Sequence, residues 1–175
     1  MRYADGPGIQ CELYVDADPA RVWELVSDVR LPARLSPELQ RVEWLGGAGA
    51  AVVGARFAGH NRHPVIGEWR TVSQIVECVP GRALAWAVMD ADGRYGEPTE
   101  DPAKALAAWR FDLVGEGDGT RLRQAVRIGP GRSGVSLAIE SMPVPEERIV
   151  AARLGELRAG IETTLQGIKA LAEEA

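Results

Sequence analysis

Two histidines come nearest, by residue type and spacing, to a metal-binding pair. His60 and His63 stand in "GHNRHP" and are the two histidines of the chain. A metal site needs further N, S or O ligands, and no Cys, Asp or Glu near this segment completes a set. His60 also alternates in phase with arginines. We therefore interpret both as solvated side chains at a strand end, and predict no metal and no cofactor.

A glycine-rich segment, "GPGRSG" at residues 129–134, matches the G-x-G-x-x-G fingerprint of dinucleotide-binding turns. That fingerprint requires its glycines to open a helix inside a parallel βαβ unit. Here the preceding strand belongs to an antiparallel set, no further strand is predicted, and Pro130 restricts the turn. We interpret the segment as the loop between the last strand and the closing helix. With Met142, "GPGRSGVSLAIESMP" is expected to form a flexible lid, with a glycine hinge, at a cavity entrance.

Acid–base and nucleophilic chemistry has no clear signal. The sequence contains no G-x-S-x-G elbow, no Ser/His/Asp arrangement and no H-E-x-x-H. Glu43, Glu77 and Asp112 fall on the polar phase of their strands, so we expect them to point away from the core. No catalytic residue is assigned, and whether the protein is an enzyme stays open.

Composition restricts the class of protein. The chain has 175 residues, 46% of them hydrophobic and 26% charged, which predicts one globular domain spanning 1–175. The net charge of −5 argues against a nucleic-acid partner. No apolar leader and no run long enough for a membrane span are present, so a cytoplasmic location is expected. Cys11 and Cys78 lie in apolar, strand-like runs and are interpreted as buried thiols.

The first half of the chain must supply strands to position any site. Cys11, Leu13 and Val15 alternate with polar residues as in a half-buried strand. Asp18 then offers a helix N-cap and Pro19 the first helical position. The two prolines of "RLPARLSPELQ" allow only a short second helix or a turn. Six more β-rich runs at the spacing of antiparallel meanders follow: "RVEWL", "ARFAGHN", "GEWRTVSQIVECV", "RALAWAVM", "AAWRFDLV" and "TRLRQAVRI".

The chain ends in a long amphipathic helix. Pro145, Glu146 and Glu147 form a favourable first turn. An apolar stripe at steps of three and four residues comprises Val150, Leu154, Leu157, Ile161, Leu165, Ile168 and Leu171. A stripe of this length needs a long apolar surface, which one face of a seven-stranded sheet supplies. The predicted fold is α+β: a seven-stranded antiparallel sheet curled around a long C-terminal helix, with two short helices after strand 1.

This order of elements resembles the helix-grip architecture of the START-like superfamily (SRPBCC), in its polyketide cyclase/dehydrase and lipid-transport branch. The resemblance is carried by "VDADPARVWELVSDV", "VGARFAGHNRHPVIGEW", "IVECVPGRALAW" and "TLQGIKALAE". It implies a cavity between the sheet and the long helix. Because the superfamily includes cyclases, lipid carriers and receptors, the resemblance does not fix a reaction.

Strand alternation predicts which side chains face that cavity. The fourth strand is ambiguous: placing Glu77 outside favours an inward Gln74, while a bulge near Trp69 would also turn that ring inward. Arg70 is either an exposed strand-end residue or, with an inward Gln74, a partner for an anionic ligand. The candidate ligand-binding residues are Trp23, Phe57, Asn61, Trp69, Gln74, Trp86, Trp109, Phe111, Gln124 and Met142.

Aromatic residues on inward strand faces are core residues more often than ligand contacts. The inward amides Asn61, Gln74 and Gln124 are harder to explain as core, because an unpartnered buried amide costs about 1–3 kcal/mol. An apolar lining with a few polar groups is typical of small-molecule sites. Residues 90–104 are an acidic connection that is solvated or folds over the cavity mouth.

Three functions stay open. The favoured one is binding of a hydrophobic or aromatic small molecule, polyketide- or lipid-like, in the cavity. The second is an aromatase/cyclase or dehydrase-type enzyme on the same fold, and the third is a protein–protein module with a filled core. The sequence leaves a homodimer open as well.

Overall fold

The described residues form one sheet of seven antiparallel strands, in which the last strand of the chain lies beside the first and the others follow in reverse sequence order. A computed structural model describes residues 1–36, 38–64 and 67–174 of the chain. The strands are β1 (Gly8–Val15), β2 (Leu39–Leu45), β3 (Arg56–His63), β4 (Gly67–Val79), β5 (Ala83–Met89), β6 (Ala107–Glu116) and β7 (Gly119–Ile128). The return of β7 to pair with β1 places the first and last strands side by side.

Within the described ranges, four α-helices accompany the sheet: α1 (Pro19–Val26), α2 (Pro32–Leu35), α3 (Gly134–Ser141) and α4 (Glu146–Glu173). Two short 3₁₀ turns lie at Tyr3–Asp5 and Pro102–Lys104. The predicted start of α1 is confirmed, since the Asp18 carboxylate accepts a hydrogen bond from the Arg21 backbone N–H at 2.9 Å. The α+β prediction is confirmed too: the sheet curls around the long C-terminal helix, and two short helices follow β1.

The apolar stripe of α4 forms the centre of the core. Ile161, Leu165 and Ile168 are each 1% exposed and belong to a cluster that also contains Phe111 and Leu122 of the sheet. α4 packs mainly against β1, with α1 and α3 beside it. Among the described residues, no helix is both long enough and apolar enough to cross a bilayer.

A β-bulge in β4 decides which of its side chains face α4. Ile75 pairs with Trp86, but the next pair is Glu77 with Ala85, so Val76 is an extra residue on β4. Residues before the bulge therefore have the opposite phase from the one that alternation back from Glu77 predicts. The predicted inward position of Gln74 is wrong. Gln74 lies on the outer face, where its Oε1 accepts a hydrogen bond from Arg56 Nε at 3.0 Å.

Candidate functional site

The concave face of the sheet carries four of the five tryptophans and both phenylalanines. Cross-strand partners share a face, and the register aligns Trp69 with Asn61, Phe57 with Trp44, and Trp86 with Trp109. Trp23 of α1 packs into the same core from the helical side. The aromatic residues that belong to the core clusters are Trp23, Trp44, Phe57, Trp86, Trp109 and Phe111 among the tryptophans and phenylalanines, while Trp69 lies on the same face near the end of β4.

Trp86 and Trp109 form a flat wall at the middle of this face. Their ring centroids are 6.3 Å apart and their planes differ by 9°. Phe111 tilts against Trp86 with centroids 5.8 Å apart. Although β5 and β6 are interior strands, both indoles stay partly exposed, whereas neighbouring Leu84 is 1% and Phe111 2% exposed. Solvent therefore reaches the aromatic middle of the concave face.

Phe57 and Phe111, two of the predicted site residues, are buried in the hydrophobic core. Phe57 is 8% exposed and meets the Trp44 ring edge-on, with centroids 5.8 Å apart and an interplanar angle of 79°. Trp23 touches both core clusters and joins them. These three side chains hold the wall in place, and Trp86 and Trp109 present its accessible surface.

Gln124 is a buried amide with an unsatisfied atom. It is 5% exposed and pairs with Cys11 of β1 and Phe111 of β6, which confirms its predicted inward position. Its Oε1 has no hydrogen-bond partner among the described residues. Leaving a buried acceptor unpaired costs about 1–3 kcal/mol of folding free energy. The Gln124 side chain therefore destabilises the fold unless a donor from outside the chain forms a hydrogen bond with its oxygen.

A second polar group of residues lies on the concave side of β3 and β4. Asn61 faces inward as predicted and is partly exposed beside its partner Trp69. Thr71 and Ser73 follow on the same face of β4, because the bulge places them there instead of Gln74. Sequence alternation alone missed this pair, and only a signal for the bulge would have revealed it.

The connection between β5 and β6, residues 90–106, is an ordered segment that lies over one end of the sheet and is called the strap below. Both carboxylate oxygens of Asp90 accept backbone hydrogen bonds, from Arg94 and Tyr95, each at 2.8 Å. The Arg94 guanidinium lies 5.7 Å from the centroid of the Trp69 ring. Asp92 forms a two-pronged ion pair with Arg70, at 3.0 and 2.7 Å. Arg70 therefore lies outside the concave face, and the strap folds over the edge of the aromatic region.

Acid should loosen this strap. The hydrogen bond from Arg70 holds the pKa of Asp92 below its usual range. The ion pair therefore stabilises the folded strap at neutral pH and is lost as the pH falls through that lowered pKa. We expect Asp92→Asn to lower the protection factors of the amides in residues 90–96 at pH 7. The protection factors of the wild type, each taken relative to the intrinsic exchange rate at the same pH, should fall to that level only at strongly acidic pH.

The matched control for the strap is Glu97→Gln, which neutralises an exposed acid of the same segment. This variant should exchange like the wild type at pH 7. If Asp92→Asn also exchanged like the wild type, the Arg70 ion pair would not be what holds the strap.

The glycine-rich loop at 129–133 is tightly packed, which differs from the predicted hinge. The Gly131 N–H donates to the Ala105 carbonyl at 2.8 Å, and the Tyr3 hydroxyl donates to the Gly131 carbonyl at 2.6 Å. Ser133 caps α3 by accepting from the Val135 N–H at 3.2 Å. Because Gly131 has no Cβ, its backbone can lie close to that of Lys104 and Ala105. Most of the apolar segment that was predicted to form a lid is the helix α3.

Met142 lies at the C-terminal end of α3 and is 50% exposed. Its role as a ligand contact stays a prediction. Val135 is 8% exposed, and both it and Ile139 pack against the main core cluster. Met142 follows at the spacing of the same helix face, but α3 ends at Ser141 and the backbone of Met142 is extended, so its side chain leaves the line of Val135 and Ile139.

The acids predicted to point outward do so. Glu77 and Asp112 both hydrogen-bond Arg110 on the outer face, where Arg110 Nε lies 2.9 Å from the Asp112 carboxylate. Glu43 lies 2.9 Å from Nε2 of His60, and this hydrogen bond, followed by the charge of Arg41, lowers the pKa of Glu43. His60 is thus a partly buried partner of an acid rather than a free side chain.

The remaining histidine and the two cysteines are further side chains of the types that bind metals. The side chain of His63 lies outside the described residues. Across the described ranges, no three His, Cys, Asp or Glu side chains are grouped so as to hold a metal ion. Cys11 and Cys78 are free and only half-buried, and burial raises the pKa of the Cys78 thiol.

A small crevice lies between α1, α2 and α4. Its volume is about 10 Å³, and Leu25, Leu31, Leu35 and Ile168 contribute to its walls. A space of this size holds no more than about one water molecule. The crevice is therefore a packing defect among the helices and no site for an organic ligand.

Comparison with known proteins agrees with this geometry. Residues 10–173 match the family model described as polyketide cyclase / dehydrase and lipid transport. A polyketide cyclase-like protein of Corynebacterium glutamicum is 24% identical, with 95% of this chain and 91% of that one covered and a TM-score of 0.62. No curated protein sequence matches the chain.

Two di-domain ARO/CYC proteins share the fold at lower identity. BexL, from the BE-7585A biosynthetic pathway, is 17% identical with a TM-score of 0.69, and 97% of this chain is covered. StfQ, from the steffimycin pathway, is 14% identical with a TM-score of 0.70, and 95% of this chain is covered. The chain spans 50% of each of these proteins. By its sequence match over residues 10–173 and its curled sheet around a long C-terminal helix, the chain belongs to the polyketide cyclase/dehydrase and lipid-transport family of the START-like helix-grip superfamily.

Proposed function

We propose that the protein binds a hydrophobic or aromatic small molecule between the concave face of the sheet and α4. The observation that carries the proposal is the partly exposed pair Trp86 and Trp109 on interior strands. Large aromatic side chains at the centre of a curled sheet are normally covered by core. Indoles that stay open to solvent there offer stacking surface to a flat or apolar ligand.

The polar groups beside this wall fit a binding site. Asn61, Thr71, Ser73 and Gln124 are neutral and lie around an apolar centre. Such groups orient a ligand by hydrogen bonds without the cost of burying a charge. A polyketide- or lipid-like molecule, largely apolar with oxygen substituents, matches this lining.

An aromatase/cyclase or dehydrase activity is the second candidate, favoured by the shared fold of the di-domain ARO/CYC proteins. The acids Glu43, Glu77 and Asp112 lie on the outer face and are committed to partners there. An enzyme built on this chain would therefore act by holding a reactive ligand in one shape with neutral groups, since positioning alone lowers a barrier substantially.

Native mass spectrometry of the purified protein tests whether it carries a ligand. A co-purifying small molecule that is released on denaturation supports the proposal. N-phenyl-1-naphthylamine, a neutral fluorescent probe, extends the test to protein purified empty. If neither a co-purified molecule nor this probe binds, the concave face is core and a protein–protein role takes precedence.

Trp86→Ala should weaken binding of N-phenyl-1-naphthylamine by about tenfold or more, because an aromatic contact of about 1.5–3 kcal/mol is lost. The control Arg123→Ala changes an exposed residue on the outer phase of β7 and should leave affinity within about twofold. Fluorescence titration measures both variants, and circular dichroism confirms that each is folded. Equal affinities for the two variants would place the ligand somewhere other than the indole wall.

A further inference from the structure

We propose that Gln124 selects the ligand's chemistry: the bound molecule carries a neutral hydroxyl-type group that enters the site first and bonds to this amide. The inference rests on the proposed function and names the ligand class for the same site. The ligand is then an apolar, flat body with a hydroxyl at its leading end, rather than a pure hydrocarbon or a carboxylate.

The first argument is that Gln124 is buried and that its side-chain oxygen is unpaired in the part of the chain that the structure describes. The residue is 5% exposed and its Oε1 has no partner among the described residues. Its cross-strand neighbours are Cys11 and Phe111. The face of α4 that enters the same core cluster is apolar, with Leu157 and Ile161 buried there. Buried amides are nearly always hydrogen-bonded in folded proteins, so a leucine would suit this position better unless a ligand meets it.

The second argument concerns charge. Among the side chains that the structure describes, those that face the site from β3, β4 and β7 with polar atoms are neutral. Arg158 of α4 reaches the Cys11 sulfur at 3.7 Å, but its side chain is 51% exposed and lies 4.0 Å from Glu162. A carboxylate beside Gln124 would therefore be buried without a dedicated cation, which is costly. A hydroxyl both donates and accepts, so it satisfies the amide in either orientation of its oxygen and nitrogen.

The third argument gives the orientation of the ligand. Gln124 precedes Ile128, the last residue of β7, by four positions, which places it about 13 Å along the strand from the 129–133 loop. Val126, between them, pairs with Trp109, and Trp109 pairs with Trp86. The indole wall thus lies between the amide and the end of the sheet that the strap and the loop cover. A ligand that enters at that end, where the strap and the loop must move aside for it, passes its leading group over the wall to Gln124 and leaves its apolar body on the two indoles.

The test compares 2-naphthol with 2-methylnaphthalene, two probes that differ by a hydroxyl in place of a methyl group. Dissociation constants are measured by quenching of tryptophan fluorescence for wild type, Gln124→Leu and Gln74→Leu. The quantity compared is the affinity ratio of naphthol to methylnaphthalene. Gln124→Leu should lower this ratio about tenfold to hundredfold, since an amide–hydroxyl bond is lost from a buried site.

Gln74→Leu is the matched control, because it makes the same change on the outer face of the sheet, where Gln74 accepts a hydrogen bond from Arg56. Its ratio should equal that of the wild type within about twofold. Gln124→Leu should also unfold at a higher temperature than wild type without ligand, since it removes an unsatisfied amide. A ratio unchanged by Gln124→Leu, with both probes still bound, would overturn the role of Gln124 and leave the proposed function standing. Failure of both probes to bind wild type would count against the proposed function itself, and this inference would fall with it.

Discussion

Replacing Gly131 by alanine should lower the free energy of unfolding by about 2–4 kcal/mol. A Cβ at this position would overlap the backbone carbonyl oxygen of Lys104 and come within 2.9 Å of that of Ala105. Neither atom can move aside easily, because the Gly131 N–H already bonds the Ala105 carbonyl at 2.8 Å. The methyl group would therefore separate the two segments and break the hydrogen bond that joins them.

Gly134→Ala is the control for this substitution, three residues further along the same segment. The nearest atom to a Cβ there belongs to the Tyr95 ring, at 3.8 Å, which is an ordinary contact. Gly134 is also the first residue of α3, where alanine is the better helix former by up to about 1 kcal/mol. Urea denaturation should show Gly134→Ala as stable as wild type or more so. A Gly131→Ala protein of wild-type stability would mean that the two segments separate freely.

Leu165→Ala should cost about 2–5 kcal/mol of unfolding free energy, the range for removing a large buried aliphatic side chain. Leu165 is 1% exposed and lies in the main core cluster with Ile161 and Ile168. The substitution leaves a cavity where α4 meets the sheet, and surrounding side chains that are held by the sheet cannot collapse to fill it.

Leu154→Ala makes the same change on the same helix stripe at a partly exposed position. It should cost less than half as much, because part of the Leu154 side chain is already in contact with solvent. Chemical denaturation of both variants gives the comparison directly. Equal costs would indicate that α4 is packed as tightly at Leu154 as at Leu165, and would argue against an open site near the N-terminal half of the helix.

Periodicity in the sequence was sufficient for most of the architecture. The alternation of β6 and β7 placed Trp109, Phe111 and Gln124 inward, as the strand register confirms. Asp18 and Pro19 marked the start of α1, which the side-chain cap confirms. These features follow from local preferences of the chain, in which each residue's environment is set by its position in a regular element.

The sequence failed where one irregular residue changed the phase of an element. The extra residue at Val76 reversed the alternation of β4, so Gln74 turned outward to Arg56 while Thr71 and Ser73 took the inward positions. Likewise, the end of α3 at Ser141 left Met142 on extended backbone and 50% exposed, while Val135 and Ile139 packed against the core. A bulge has no strong signature in a single sequence, because it is a property of how two strands pair rather than of the residue types in one strand.

The sequence by itself thus determined the strands, the long helix, the fold family and the inward aromatic faces, because each depends on a repeating local pattern. Only the tertiary structure decided which amide is left without a partner, which indoles stay open to solvent, and how the strap is fixed by Arg70 and Asp92. Those three properties depend on what the rest of the chain brings to within a few ångströms of a side chain. Residues far apart in sequence, such as Leu122 and Ile161, meet in one core cluster only when the sheet closes around the helix.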